Sequence, residues 1–246
     1  KDKLKKIFRY LHFLPGYDHQ ILYPLLHTDC LLILIENQYV FDTLQTGAFD
    51  QIYHEHMFYY SVKNMQNYLN SHAYDLNDIF FSDIHGGSIV FIGSRRNQYP
   101  VSKNVKEQIE WENKLIDNDK ILNKFRNRVE DIKTMTLKEI DTDIREGKRV
   151  CAYGAPAKAF TMFSLLGLDN SKINFCVDTS ATKVGKYFPV FNIPVVSEDQ
   201  MISMEYDTFL VTSWNYKTDI LSRSSKLFKE NTKLIFPLPD FEILYT

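Results

Sequence analysis

The sequence predicts an α/β protein with a long helical connector, and three observations support that prediction. The last hundred residues alternate short apolar runs with helical patterns, the order expected of parallel strands joined by helical crossovers. The stretch 101–144 contains no Pro or Gly and is rich in charged residues, as is typical of long exposed helices. Of the 246 residues, 44% are apolar, so the chain can bury a sizeable core.

Composition also excludes several classes of protein. Lys and Arg number 29 against 31 Asp and Glu, so the chain lacks the basic charge of a duplex nucleic-acid binder. Cys30, Cys151 and Cys176 form no CxxC pair, which argues against a zinc ribbon or disulfide framework and predicts buried, inert thiols. The apolar run Leu31–Ile35 is far shorter than the ~20 residues of a membrane span. No leader-like segment is evident, so we expect a cytoplasmic protein.

The pattern of apolar residues predicts two helices and three strands in the first hundred residues. Apolar residues at helical spacing predict a helix over Lys1–Tyr10. The run Leu31–Ile35 predicts a strand that is buried on both faces. Ser61–His72 predicts a helix capped by Ser61. Two further strands are expected at Ala73–Phe81 and Ser88–Gly93.

We therefore expect a domain over residues 1–100, a helical connector over 101–146 and a second domain over 147–246. Strands and helices alternate in the second domain, which predicts a Rossmann-like fold. Its predicted strands are Lys148–Tyr153, Ile173–Val177, Thr208–Thr212 and Lys233–Phe236, with helices at Ala157–Leu166 and Lys217–Phe228.

The segment Tyr53–His56, referred to below as the YHEH segment, places four proton-transferring or hydrogen-bonding side chains in consecutive positions. Such a group downstream of a buried strand favours general acid–base chemistry near neutral pH. Two alternatives are a metal site using His54 and His56, and a polar loop with chance histidines. No acidic or cysteine cluster at ligand spacing accompanies them, so no metal is expected.

Paired glycines are unusual in a chain with only nine, which draws attention to His85, Gly86 and Gly87. They indicate a special backbone geometry or the close approach of a ligand, and the alternative is an ordinary turn between two strands.

A third candidate site, Gly154–Lys158, lies between a predicted strand and helix. Small residues there, Gly154 and Ala155 included, could bring backbone N–H groups and a helix N-terminus toward an anion, with Lys158 as a phosphate ligand. The pattern is not GxGxxG and Pro156 removes one donor, so a nucleotide or diphosphate fits as well as a nicotinamide cofactor. Asp178, which ends the next strand, could accept a hydrogen bond from a ribose hydroxyl or simply form a turn.

The fourth candidate is Ser213-Trp214-Asn215, at the end of another predicted strand and so at the same edge of the sheet. Trp214 could stack on a base or sugar, and Asn215 could hydrogen-bond to the same ligand. The equally weighted alternative is a buried tryptophan that packs beneath the loop.

Together these motifs resemble the S-adenosylmethionine-dependent C-methyltransferases that act on nucleotide-linked keto-deoxysugars. The resemblance extends from Leu31 to the C-terminus and is strong, because several motifs occur in the same order. The matching phrases are FDQIYHEHMFYYS, HGGSIVF, CAYGAPAKAFTMFSLLGL, VDTSATKVGKYFPVFNIPVVS and SWNYKTDI.

The resemblance implies that the substrate, a nucleotide-linked keto sugar of the dTDP-sugar type, lies between a methyltransferase domain and a Rossmann-like domain. His56 would remove the proton alpha to the C4 ketone, Glu55 would orient that base or relay the proton, and Tyr53 would line the sugar site. The remaining motif residues would contact substrate: His54, His85, Gly86, Gly87, Gly154, Ala155, Lys158, Asp178, Trp214 and Asn215.

The resemblance also implies what is missing. Leu31–Ile35 would be the fifth strand of a partial class I methyltransferase-like sheet, and the zinc-binding cysteines and glycine-rich turn for S-adenosylmethionine are not found. Only Gly16 and Gly47 precede Gly86. We expect a fragment or partner subunit of a C-methyltransferase whose cofactor-binding half lies elsewhere. The alternatives are an S-adenosylmethionine-independent epimerase or isomerase, or a non-catalytic nucleotide-sugar-binding protein.

Overall fold

The computed structural model describes residues 32–82, 87–116 and 120–246, together with the backbone of 8–12. Two compact units are present. The first runs up to Gln45 and resumes over His54–Lys124, and the second consists of Thr46–Tyr53 and Phe125–Thr246. The division after Lys124 falls inside the predicted connector, whereas Thr46–Tyr53, which the sequence placed in the first domain, belongs to the second unit.

The first unit contains a four-stranded sheet in the order β1-β2-β4-β3. Strand β2 is parallel to β1 and antiparallel to β4, which is antiparallel to β3. This mixed α/β arrangement is consistent with the predicted partial methyltransferase-like sheet. The strands are β1 (Phe8–His12), β2 (Leu32–Gln38), β3 (Tyr74–Ser82) and β4 (Ser88–Arg95), and the helices are α1 (Val40–Thr46), α2 (Val62–Ser71) and α3 (Lys103–Ile116).

The predicted helix over Lys1–Tyr10 is wrong where the structure describes it, because Phe8–Tyr10 belong to β1. Its backbone pairs in parallel with β2, with Phe8 opposite Leu32. A short run of apolar residues fits helical and extended periods alike, and strand pairing decides between them. Lys1–Ile7 lie outside the described residues.

The strand predicted at Leu31–Ile35 is confirmed as β2, although Leu31 lies outside the described residues. Burial on both faces is not observed: Ile33 and Ile35 are buried, whereas Leu32 and Leu34 are half-buried. The strand thus alternates in burial, as expected where an antiparallel neighbour leaves one face less covered.

Helix α2 forms where it was predicted and is capped by Ser61, as expected. The Ser61 hydroxyl accepts a hydrogen bond from the Asn64 N–H at 3.1 Å, which satisfies one of the unpaired donors of the first turn. Val62, Met65 and Leu69 are buried along one face. The spacing of these apolar residues therefore orients the helix toward the sheet.

The second unit contains a six-stranded sheet in the order β10-β9-β8-β5-β6-β7, parallel except for β10. This is the expected strand–helix alternation of a Rossmann-like domain. Its strands are β5 (Val150–Tyr153), β6 (Cys176–Val177), β7 (Val195–Val196), β8 (Thr208–Val211), β9 (Lys233–Phe236) and β10 (Glu242–Tyr245). The helices are α4 (Lys120–Arg145), which begins in the first unit, α5 (Ala159–Leu166), α6 (Glu198–Ile202) and α7 (Lys217–Leu227).

Most predicted elements of this unit are confirmed, but the strand expected over Ile173–Val177 shortens to Cys176–Val177. Strands β7 and β10 were not predicted, because each has only a brief apolar run. Helix α5 ends where expected, at Gly167, whose left-handed backbone closes its last turn.

The predicted state of two cysteines is also confirmed. Cys151 and Cys176 are free and buried, and burial raises the pKa of the Cys151 thiol to about 12. Cys30 lies outside the described residues. No helix in the described parts of the chain is both long and apolar enough to cross a membrane.

Candidate functional site

A pocket of about 400 Å³ opens at the carboxyl ends of β5, β6 and β8 in the second unit. In open α/β sheets this edge is where ligands bind, because the loops leaving neighbouring parallel strands meet there. The pocket brings together three sequence motifs that lie far apart in the chain. Its lining includes Tyr153, Gly154, Val177, Asp178, Ser180, Lys183, Ser213, Tyr216, Asp219 and Arg223.

Gly154 is required by the way two of these loops meet. Its φ is +94°, and a Cβ at this position would lie 1.8 Å from the Ser213 Oγ. Its N–H donates to the Val177 carbonyl at 2.7 Å. The paired strands therefore place the Gly154 backbone directly against Ser213, where no side chain fits.

Asp178 organises the loop that follows β6. Its carboxylate accepts hydrogen bonds from the N–H of Ala155 at 2.7 Å and the N–H of Ser180 at 2.8 Å, and pairs with Lys183 at 3.3 Å. The Ala155 donor predicted to face an anion is thus occupied within the protein. An anion in the pocket therefore cannot bind the Ala155 N–H without displacing the Asp178 carboxylate.

Two cationic side chains, Lys183 and Arg223, and the aromatic ring of Tyr216 line the pocket. Lys183 pairs with Asp178, and Arg223 contacts Glu198 at 3.4 Å and Asp219 at 3.1 Å. The Tyr216 ring is 57% exposed. The pocket therefore combines positive charge, carboxylate acceptors and a stacking surface.

A separate polar cluster is buried in the same unit. Asp50 accepts a hydrogen bond from the Trp214 indole N–H at 2.6 Å, and the Lys158 ammonium lies 3.5 Å from the same carboxylate oxygen. The ammonium also lies 4.1 Å from the centre of the Trp214 ring, within cation–π range. Burial raises the pKa of Asp50 and lowers that of Lys158, while their mutual attraction opposes both shifts.

This cluster places Lys158 and Trp214 away from the pocket lining. Trp214 is buried, as in the alternative that packs it beneath the loop. The neighbouring Asn215 has a buried amide oxygen that finds no hydrogen-bond partner among the described residues.

The YHEH segment follows a short 3-10 helix over Phe49–Gln51. Tyr53 belongs to the second unit, and the next residue begins the return of the chain to the first. His54 is exposed, whereas Glu55 and His56 are half-buried. Within the described residues, no group of three or more His, Cys, Asp or Glu side chains is placed to hold a metal.

Of the glycine pair, only Gly87 is described, since His85 and Gly86 lie outside the described residues. Its φ is +120°, and a Cβ there would lie 2.8 Å from an Asp42 carboxylate oxygen. The next residue, Ser88, donates to Glu36 at 3.2 Å. Gly87 therefore has the special backbone geometry that the pair suggested.

Comparison with known proteins shows which family this chain belongs to. Residues 83–239 match the family described as C-methyltransferase C-terminal domain. The chain belongs to this C-methyltransferase family. It is also similar to the C-methyltransferase NovU of Streptomyces niveus, at 29% identity over 215 residues. That alignment covers 87% of this chain and 51% of the relative, so the chain spans about half the length of the relative.

The resemblance to C-methyltransferases read from the sequence is thus confirmed. The part of the chain that matches the C-methyltransferase C-terminal domain, residues 83–239, includes the pocket, Lys158 and Trp214. It begins after the YHEH segment. Sequence reasoning missed Asp50, Lys183, Tyr216 and Arg223. Lys183 could have been suspected from its place in the loop after β6, whereas Arg223 lies inside a helix and Asp50 pairs with residues more than one hundred positions away.

Proposed function

We propose that this chain takes part in the C-methylation of a nucleotide-linked 4-keto-deoxysugar and that its second unit binds the nucleotide diphosphate. The pocket at the carboxyl ends of β5, β6 and β8 is the observation that carries this proposal. Carboxylates there suit ribose or sugar hydroxyls, cations suit phosphate oxygens, and the exposed Tyr216 ring suits a base.

Lys183 and Arg223 are the proposed phosphate ligands. The N–H groups of Gly154 and Ala155 are already hydrogen-bonded within the protein. The side chains of Lys183 and Arg223 remain 43% and 41% exposed. Partly exposed ion pairs are weak, so a diphosphate can replace their present carboxylate partners at small cost.

The proposed chemistry belongs to the YHEH segment. His56 acts as the base that removes the proton alpha to the C4 ketone, because an imidazole titrates in the right pH range. Glu55 orients His56 or relays its proton, and Tyr53 lines the sugar site and can donate to the enolate oxygen. The substrate contacts predicted for His54 and for His85–Gly87 remain part of the proposal.

S-adenosylmethionine is the methyl donor that the family implies, and it would supply an electrophilic methyl group. The described residues of the first unit do not fit it. The space beside the Gly87 backbone is filled by the Asp42 side chain. Gly93 lies within β4, where the Leu69 side chain and the Asp75 carbonyl fill the space beside it. Neither forms an open turn that a nucleoside could approach, so the steps proposed for this chain end at the enolate.

The test is deuterium uptake. The protein is incubated with dTDP-4-keto-6-deoxyglucose in heavy water without a methyl donor, and substrate mass is followed against a control without protein. We expect uptake at a carbon alpha to the ketone by the wild type and none by His56→Ala. Uptake by His56→Ala at the wild-type rate would contradict the assignment of the base.

Binding is measured separately by titration calorimetry with dTDP. Arg223→Ala and Lys183→Ala should each weaken binding about tenfold, since each removes a charged phosphate contact. Lys226→Ala is the matched control, because this residue is exposed on the same helix as Arg223 and does not line the pocket. Equal affinity of all three variants would refute the phosphate site.

A further inference from the structure

The segment Thr46–Tyr53 leads directly into the YHEH segment, and it belongs structurally to the second unit. Ala48 and Phe49 pack into the main apolar core of that unit. Asp50, which lies with Phe49 on the 3-10 helix Phe49–Gln51, is completely buried. A carboxylate is rarely placed in such a position unless a specific partner compensates its lost hydration.

The partners come from two motifs that the sequence assigned to substrate. The Asp50 carboxylate accepts a hydrogen bond from the Trp214 indole N–H at 2.6 Å and forms an ion pair with the Lys158 ammonium at 3.5 Å. Lys158 and Trp214 are 7% and 5% exposed, and the cation lies 4.1 Å from the ring centre. Each of the three side chains thus contacts the other two, and none of them lines the pocket.

Two neighbouring contacts hold the backbone of the same segment. Thr161, in α5, donates from its hydroxyl to the Ile52 carbonyl at 3.2 Å. Arg128, in α4, donates from Nε to the Thr46 carbonyl at 2.8 Å. The segment is therefore fixed near both ends, with the buried cluster between them.

We propose that Asp50, Lys158 and Trp214 form a positioning cluster that holds the chain entering the YHEH segment on the second unit. Tyr53 and His56 follow Asp50 by three and six residues, so a displacement at Asp50 would be passed along the backbone to the sugar-site tyrosine and to the proposed base. This inference rests on the proposed function of the YHEH segment. It assigns Lys158 and Trp214 to positioning instead of to ligand binding.

The test separates catalysis from binding in three variants: Lys158→Met, Trp214→Phe and the double variant Asp50→Asn with Lys158→Met. The double variant removes both charges together, so its folding is not burdened by one unpaired buried charge. Deuterium uptake by dTDP-4-keto-6-deoxyglucose is measured over a range of substrate concentrations. The dissociation constant of dTDP is measured by calorimetry, and Lys226→Met serves as control.

We expect the maximal uptake rate of Lys158→Met and of the double variant to fall at least tenfold. The half-saturating concentration and the dTDP dissociation constant should change less than twofold. Amide hydrogen exchange within 46–53 should accelerate at least tenfold in these variants while β5 and β8 stay protected. Trp214→Phe keeps a ring beside Lys158 but loses the N–H, so it should show a smaller change in the same direction.

A tenfold loss of dTDP affinity in Lys158→Met, with unchanged amide exchange within 46–53, would overturn the inference and make Lys158 a ligand contact. Unchanged uptake despite faster amide exchange would also overturn it. Absence of uptake by the wild type would instead count against the proposed function. In that case amide exchange and dTDP binding still decide whether the cluster holds the segment.

Discussion

The Tyr39 hydroxyl donates a hydrogen bond to the Glu112 carboxylate across 2.8 Å inside the first unit. Glu112 is fully buried in α3, and it also accepts hydrogen bonds from the N–H groups of Val62 at 2.7 Å and Lys63 at 2.9 Å. These are unpaired donors in the first turn of α2, where a negative charge is favourable. One carboxylate therefore joins α3, the end of β2 and the helix that follows the YHEH segment.

We expect Glu112→Ala to destabilise the first unit by about 3 kcal/mol, because two buried donors and one half-buried donor lose their acceptor. The measurement is amide hydrogen exchange of α2, which should become faster. Glu107→Gln, on the exposed side of the same helix, is the control and should have little effect. Equal protection of α2 in the two variants would show that Glu112 does not stabilise it.

Gly154→Ala should destabilise the second unit by about 3 kcal/mol, because its Cβ would overlap Ser213 and its backbone has a positive φ. Gly167→Ala is the matched control: it also has a positive φ but has open space around it, so we expect about 1 kcal/mol. Adding Ser213→Gly should recover part of the loss in Gly154→Ala. Urea unfolding compares the four proteins, and no recovery would argue against the steric cause.

Asp143 should make stability depend on acid pH. Burial by itself would raise its pKa, but hydrogen bonds from Lys233 at 3.0 Å and Thr208 at 2.8 Å hold the pKa below its usual value. Its contribution is therefore present above about pH 4 and is lost as pH falls through the lowered folded-state pKa.

We expect Asp143→Asn to lower the free energy of unfolding by about 2 kcal/mol at pH 7, with a smaller difference from the wild type between about pH 4 and pH 2. Asp141, which is half-buried and paired with Lys172 nearer the surface, provides the control variant Asp141→Asn. A difference that stays constant down to pH 2 would contradict the assigned pKa.

Cys151 and Cys176 should resist iodoacetamide at pH 8 in the folded protein, because burial raises both thiol pKa values and excludes the reagent. Peptide mapping distinguishes these two sites from Cys30. Both should react fully once urea unfolds the chain. Rapid labelling of Cys151 without urea would indicate that the sheet of the second unit opens.

Local patterns explain which elements could be predicted. Ser61 followed by apolar residues at helical spacing specifies α2, and apolar runs alternating with amphipathic stretches specify β5, α5, β8 and α7. Gly154 was identified by its position between a strand and a helix, and the structure supplies the reason in Ser213. In each case the information lies within a few neighbouring residues.

The sequence by itself thus determined the α/β class, most elements of the second unit, the capped helix α2 and the family. Only the tertiary structure decided that Phe8–His12 pairs as a strand and that Lys158 faces Asp50. Periodicity records which face of an element is apolar, because neighbouring side chains share that face. It does not record which distant charge meets a lysine, because that depends on how loops 108 residues apart pack together.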